Sequence, residues 1–268
     1  MAALVAALGC APGALGNVHG APSAGRSLPD PVPCEVCWHP APRTSWQWQL
    51  QGKLDLTVRA HMFDTDMFDT PASTVRALHE RGRIAVCYVD AGTWEDWRQD
   101  ASKFPDDVKG KPNGWPGERW LDIRRLDALG PILQARIHRC AAKGFDGIEF
   151  DNADGFANDT GFPLTVAEQL RFDVWLANHA HHAGLSAGMK NDLGQVGKLL
   201  PYFDFALDEQ CFQYHECFKL QPFLDAGKAV FEVEYKLDPP QFCPKANDLN
   251  FNSLKKKLSL RVWRHPCR

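Results

Sequence analysis

GFDGIEFDNADGF, residues 144–156, decides the fold. Before it, a helical pattern runs from about Pro131, a favoured first helical residue, to Lys143, and Gly144 ends it. GIEFD, from Gly147 to Asp151, then reads as a short strand. Gly147, Glu149 and Asp151 share one face and Ile148 and Phe150 the other, which suits packing against a helix layer. The stretch carries four acids, Asp146, Glu149, Asp151 and Asp154, around an apolar centre. Carboxylates on a buried strand need a reason.

Working outward, the same alternation of apolar run and helical pattern repeats from Thr44 to the end of the chain, the signature of parallel strands joined by crossovers. Eight candidate strands follow: SWQWQL from Ser45, VRAHMFD from Val58, RIAVCYVD from Arg83, GIEFD from Gly147, LSAGMKN from Leu185, FDFALDE from Phe203, AVFEVEY from Ala229 and LSLRVW from Leu258. Helix punctuation lies between them. Thr70 and Pro71 start one helix and Gly82 ends it, and TVAE at 165–168 forms a capping box for another that stops near Gly184. The expected fold is α/β, a single-domain (β/α)8 TIM barrel over residues 44–268. Neither GxGxxG nor GxxxxGK[ST] occurs, so nucleotide-binding readings lose their main support.

The chain has 268 residues, 44% hydrophobic and 24% charged, with formal net charge -3. It has no Lys/Arg block before Lys255, Lys256 and Lys257, so no electrostatic footprint for nucleic acid. No segment is long and apolar enough to span a membrane. The Ala/Gly/Pro-rich start, residues 1–43, is expected to be flexible or derived from a secretory signal; AALVAALG resembles the apolar core of one but lacks a preceding basic residue. Six of the nine cysteines sit in local pairs: Cys34 with Cys37, Cys211 with Cys217, Cys243 with Cys267. That placement suggests disulfides and an oxidising, extracytoplasmic compartment, with a zinc site at Cys34 and Cys37 as the alternative to a bridge. Cys87 and Cys140 read as buried thiols.

Barrel enzymes place their chemistry at the C-terminal ends of the strands. Six candidate strands end in polar residues there: Asp64, Thr65 and Asp66; Asp90; Asp151; Lys190, Asn191 and Asp192; Asp208 and Glu209; Glu234 and Tyr235. Solvation of strand ends explains one or two of these but not all six. Alternation points Asp151 into the mouth, sets Glu209 at the rim above Phe205 and Leu207, and turns Asp208 outward. Strands one neighbour apart lie roughly 10 Å apart, and inward side chains narrow that to about the 5–5.5 Å of a retaining glycosidase pair. Asp151 and Glu209 are thus a candidate catalytic pair, with a structural role as the alternative and the two roles unassigned. Trp46, Trp48, Tyr88, Trp94, Trp97, Trp115, Trp120 and Tyr235 cluster near strand ends. Core packing explains each singly, and together with acids they suit a carbohydrate, particularly a cationic one.

Taken in order, WQWQL (46–50), DMFDT (66–70), CYVDAGTWEDWR (87–98), WPGERWLDIR (115–124), GFDGIEFDNAD (144–154), NDTGF (158–162), KND (190–192), DEQCF (208–212) and VEY (233–235) resemble glycoside hydrolase family 114, the endo-α-1,4-polygalactosaminidases. The resemblance runs from about Trp46 to Cys267. It implies a (β/α)8 barrel that cleaves α-1,4-linked galactosamine polymers internally, with Asp151 as nucleophile and Glu209 as acid/base. It further implies that Asp66, Asp90, Lys190, Asn191 and Tyr235 hold the sugar; Trp46, Tyr88, Asn152 and Asp154 complete the expected substrate-binding set. The sequence departs from the family pattern at Val89–Asp90, where a small hydroxyl residue is expected, and at His61–Met62. No metal or cofactor is expected, and the protein is expected to act as a secreted monomer on a polysaccharide. The competing readings are a barrel that binds carbohydrate without cleaving it, a glycosidase for another α-linked glycan, and a metal-dependent hydrolase. The last lacks the strand-end HisXHis or helix HExxH pattern that such sites use, although magnesium held by the acids stays open.

Overall fold

In the computed structural model, which describes residues 27–268, the strands run β1 (Trp46–Gln49), β2 (Met62–Asp66), β3 (Ile84–Asp90), β4 (Thr93–Glu95), β5 (Lys109–Pro112), β6 (Glu118–Leu121), β7 (Gly147–Asp151), β8 (Ser186–Lys190), β9 (Phe205–Glu209), β10 (Ala229–Glu234), β11 (Asn252–Lys255) and β12 (His265–Pro266). Helices α1 (Ala72–His79), α2 (Leu126–Lys143), α3 (Val166–His182), α4 (Val196–Leu199), α5 (Gln221–Asp225) and α6 (Pro239–Asp248) lie between them. One sheet pairs β1, β2, β3, β7, β8, β9, β10 and β11 in parallel, in that order, and β12 adds antiparallel to β11. Those eight parallel strands with helical crossovers are the (β/α)8 barrel that the sequence predicts.

The barrel interior and the strand–helix layer are separate apolar cores, as alternation requires. Trp46, Trp48, Met62, Val86, Phe205, Leu207, Phe231 and Leu254 fill the inside; Ile148, Phe150, Ala187 and Met189 face the helices. Gly188 has no side chain because Phe205 occupies the space: a Cβ there would lie 2.3 Å from the ring. Register then sets the mouth. Asp90 pairs with Asp151, Tyr88 with Glu149, and Lys190 with Leu207, so polar residues of adjacent strands finish at one level.

Three expectations about the barrel change. The eighth strand is Asn252–Lys255, not the stretch from Leu258. LSLRVW alternates like a strand, but Leu258, Val262 and Trp263 are exposed, and the stretch fills the seam between β11 and β1, where Leu50 and Gln51 N–H groups donate to the Leu260 carbonyl. Helix α2 begins five residues before Pro131, which lies inside it; so early in the helix, proline removes only one interior hydrogen bond. Cys87 and Cys140 are not free buried thiols: they bridge β3 to α2, on which the strand's helix-facing side lies. Cys34 pairs with Cys37 as a disulfide, as do Cys211 with Cys217 and Cys243 with Cys267.

Of the segment expected to be flexible, residues 1–26 lie outside the described residues. The remainder is docked on the barrel: Asn178 accepts from the Val32 N–H at 2.9 Å, and the Tyr202 hydroxyl donates to the Pro29 carbonyl at 2.7 Å. The capping box forms as read, with Thr165 and Glu168 each accepting the other's backbone N–H. Between β3 and α2 the chain also builds a small antiparallel sheet, β4–β6–β5, that the strand count missed.

Candidate active site

At the mouth, one lysine organises the acids. Lys190, 1% exposed, places Nζ 2.6 Å from Asp151 Oδ1, 3.1 Å from Glu209 Oε2 and 3.2 Å from Glu149 Oε1. Burial alone would strip its proton, but the attraction of Asp151, Glu209 and Glu149 outweighs that and holds it charged. Each outer carboxylate also accepts from a tyrosine: Tyr88 donates to Asp151 Oδ2 at 2.6 Å, and Tyr235 donates to Glu209 Oε1. Burial, then the adjoining carboxylates, raises both phenols well above their usual range, so both remain donors.

At Asp151 burial and neighbouring charge oppose each other. Burial pushes its pKa up, but the charge and hydrogen bond of Lys190, with the Tyr88 hydroxyl, bring it below the ordinary carboxylate value. It is ionised at neutral pH. Because Asp151 Oδ1 and Glu209 Oε2 lie 2.6 and 3.1 Å from one nitrogen, they are at most about 5.7 Å apart. That bound, between the two oxygens nearest Lys190, admits the roughly 5–5.5 Å carboxyl separation of retaining glycosidases.

Beneath the pair, Glu149 faces inward as alternation requires, held by Lys190 and by the Trp48 indole, which donates at 3.1 Å. Asp64, also inward and fully buried, has its pKa driven well above the ordinary carboxylate value by burial and then by Glu149. Asn191, in left-handed backbone at φ 50°, accepts from the Glu209 N–H at 3.1 Å and so fixes the start of that residue.

The mouth opens into two adjoining hollows of about 420 and 570 Å³. Trp48, Asp66, Tyr88, Asp151, Asn152 and Glu209 line the first, with Glu95, Arg98, Glu118 and the half-exposed Trp97 and Trp115 on its outer wall. Asp154, Asp192, Asp208 and Tyr214 line the second. Trp115, Asn191, Glu209 and Tyr235 border both, so the two hollows meet at Glu209, with Asp151 lining the first.

Structure therefore sorts the expected sugar contacts. Tyr88, Asn152, Asn191 and Tyr235 gather at the first hollow with the pair, Asp154 sits in the second, and Lys190 supports the pair from below. Trp46 does not reach the cleft: two residues before Trp48 on the inward face, it lies a layer deeper, donates to the Asn252 carbonyl at 2.7 Å and packs on Phe231. Trp48 takes the position expected of it. Asp90 is likewise a loop anchor, not a cleft contact; it accepts from the Thr93 N–H at 2.8 Å, from the Thr93 hydroxyl and from Asn152 Nδ2 at 2.9 Å. Gly92 permits this close approach, because a Cβ there would lie 1.8 Å from the Asn152 carbonyl oxygen. Asp66 lines the hollow with its acceptors committed to the Phe68 and Asp69 N–H groups and to Arg98 at 2.7 Å. Glu95, Arg98 and Glu118 were missed because they belong to the inserted sheet and its flank, not to barrel strand ends; their only signal was the EDWR and PGER within the quoted motifs.

A family model described as Glycoside-hydrolase family GH114 matches residues 32–268. The chain is 34% identical to Aspergillus fumigatus Ega3, whose structure was solved in complex with galactosamine; the match covers 89% of this chain and 100% of that one, with a TM-score of 0.84. The glycoside hydrolase domain of PelA from Pseudomonas aeruginosa shares the fold at 13% identity, TM-score 0.66, over 82% of this chain and 97% of that one. An uncharacterised protein of Deinococcus radiodurans is 31% identical over 127 residues, 45% of this chain and 39% of the relative's length.

Proposed function

The chain belongs to glycoside hydrolase family 114, and from that premise we propose that it cleaves α-1,4-linked galactosamine polymers, such as deacetylated galactosaminogalactan, internally and with retention. The observation that carries the reading is the carboxylate pair sharing Lys190 in an extended cleft of two adjoining hollows. A polymer threaded along such a cleft presents an internal linkage to the pair, whereas a blind pocket admits only chain ends. Ega3, similar over nearly the whole barrel, was crystallised with galactosamine, and the acids along the cleft suit a cationic chain.

In this mechanism ionised Asp151 attacks the anomeric carbon while Glu209 protonates the departing glycosidic oxygen, leaving a covalent glycosyl-enzyme. Bonding spends the charge on Asp151, and Lys190 then faces an ionised Glu209 only 3.1 Å away. Glu209 next takes a proton from water, the hydroxide attacks the same carbon, and Asp151 leaves as the carboxylate. Four disulfides support export to an oxidising compartment, and no helix among the described residues is long and apolar enough to cross a membrane.

Incubation with α-1,4-galactosamine polymer, its fully N-acetylated counterpart, chitosan and other α-linked glycans, read by product masses, tests the reading. Short galactosamine oligomers are expected from the first substrate alone, and Asp151→Asn and Glu209→Gln are each expected to abolish them in a protein that still folds, at a lowered melting temperature because Lys190 loses a neighbouring anion. Wild-type-like turnover in either variant refutes the pair. Equal rates on the amine and acetylated polymers refute the electrostatic selection.

A further inference from the structure

The other end of the barrel carries a hollow of about 240 Å³ that the proposed hydrolysis does not use. It lies beside Trp46 and Asn252, the first residues of β1 and β11, and so at the N-terminal ends of the strands, opposite the cleft. Arg43, Arg264 and Arg268 line it together with Ser45. The arginine ion pairs among the described residues involve Arg98, Arg124, Arg125 and Arg136, and none of these three. Three cations thus border one hollow without a counter-charge. Burial lowers the pKa of Arg264 and Arg268, and the charge of Arg43 lowers Arg268 further; no carboxylate offsets either shift.

Donors outnumber acceptors there. A guanidinium has five N–H donors. Arg264 spends two of its own, on the Trp46 and Arg59 carbonyls at 2.6 Å each, and Arg268 directs Nη2 at the Phe251 and Asn247 carbonyls, 2.9 and 3.5 Å away. Those bonds fix two of the side chains and leave their other donors, with those of Arg43, without an acceptor among the described residues. Ser45 Oγ accepts the His61 N–H at 3.0 Å, which leaves its O–H to donate. Asn252, 5% exposed, adds an amide nitrogen that is buried without a partner among the described residues, a costly state for a donor.

We propose that this hollow binds a tetrahedral oxyanion, a phosphate or sulfate group held by Arg43, Arg264 and Arg268 with the Ser45 hydroxyl and the Asn252 amide. Such a group brings acceptors and negative charge together, and guanidinium forks match its edges in bidentate pairs. A metal cation is repelled by three arginines, and a neutral sugar leaves their charges unbalanced. Because the hollow lies opposite the cleft, an ester of the group on a larger molecule is held without covering the carboxylate pair.

Calorimetric titration with inorganic phosphate, inorganic sulfate, glycerol 3-phosphate and galactose 6-sulfate, at constant ionic strength set with chloride, tests this on the wild-type protein, Arg43→Gln and Arg268→Gln. Both arginines are exposed, and the variants keep the Arg264 bond that ties the segment after β11 to β1. The wild type is expected to bind one ion per chain, saturably, and each variant about tenfold or more weakly, the loss of charge-assisted hydrogen bonds. Thermal unfolding in the same series separates binding from the general stabilisation that phosphate and sulfate give by exclusion from protein surfaces. The rise in melting temperature should level off in the wild type and shrink in Arg43→Gln/Arg268→Gln. An equal rise in the wild type and the double variant overturns the site. So do wild-type heats that never saturate, a measurement that needs no variant to fold. Tighter binding of the esters than of the inorganic ions supports a group carried on a larger molecule, and the reverse order supports the free ion. Neither readout depends on hydrolysis, so a protein that cleaves no polymer still binds the ion if the inference holds.

Discussion

Replacing Lys190 with methionine tests the electrostatic centre of the site. The side chain is 1% exposed and lies within 3.2 Å of Glu149, Asp151 and Glu209, of which Glu149 is fully buried. Methionine matches the stem's volume and removes only the charge. Removing one partner of a buried ion pair costs about 3–5 kcal/mol, because the other charge stays buried and unpaired. At roughly 2–4 °C per kcal/mol for a domain of this size, the melting temperature should fall by about 6–20 °C at pH 8.

The pH dependence gives the test its sign. In the wild type Asp151 is held below its ordinary value, so its contribution to stability is present above the unfolded pKa and lost as pH falls through the folded one. Without Lys190 the remaining terms on Asp151 and Glu149, burial foremost, raise both, and a raised carboxyl destabilises progressively as pH climbs past the unfolded value near 4. The deficit of Lys190→Met should thus be small at pH 4.5 and full at pH 8, as followed by thermal unfolding. Its turnover should fall at least about 100-fold at neutral pH, and the acidic limb of its kcat profile should move upward, since the nucleophile must now lose its proton unaided. A deficit under about 1 kcal/mol at pH 8, or one independent of pH, refutes the reasoning.

Two further outcomes concern the frame. Cys87→Ala/Cys140→Ala opens a bridge spanning 53 residues, and loop-closure entropy puts its loss at about 4 kcal/mol; a double variant melting within about 3 °C of wild type would contradict that. Asp192 is raised to about 7, by burial above all, and Asp154 to about 6, by burial and then Asp151, so each favours the folded state less as pH rises from about 4 to 7. The unliganded protein should accordingly melt lower at pH 7.5 than at pH 5.5 through these two groups, and Asp192→Asn should flatten that slope; an unchanged slope in the variant removes the assignment.

Barrel order and the convergence of Asp151 with Glu209 were legible because both follow from short-range rules. Alternation along GIEFD and FALDE fixes which side chains point inward, and strand order fixes how far apart they stand. Neither rule reports depth, which is why Trp46 and Trp48, on the same face, were not told apart. LSLRVW shows the complementary failure: its pattern suits a strand, but the neighbouring edge is already filled by Asn252–Lys255 and the stretch becomes the seam. The inserted sheet was hidden for another reason. Its strands span three or four residues, with Gly110 and Pro112 in one of them, too short for periodicity to register. Residues it delivers to the cleft, Glu95 and Glu118, were therefore invisible to an argument built on strand ends. The Cys87–Cys140 bridge was missed because sequence proximity finds local pairs only.

The acids of residues 144–156 divide along the strand's axis. Asp146, before β7, accepts the Ala85 N–H at 2.8 Å and a His79 nitrogen at 2.9 Å, so it serves the entry turn. Glu149 lies one layer below Asp151 on the same face, where a neutral residue would leave Lys190 with fewer compensating charges and Trp48 with no acceptor. Holding a lysine charged at that depth requires nearby anions, and the charged lysine in turn keeps Asp151 ionised in a buried mouth. Glu149 thus bears on Asp151 through Lys190 without lining the cleft, and under the proposed mechanism a strand that carried Asp151 without Glu149 beneath it would hold that carboxylate less firmly ionised.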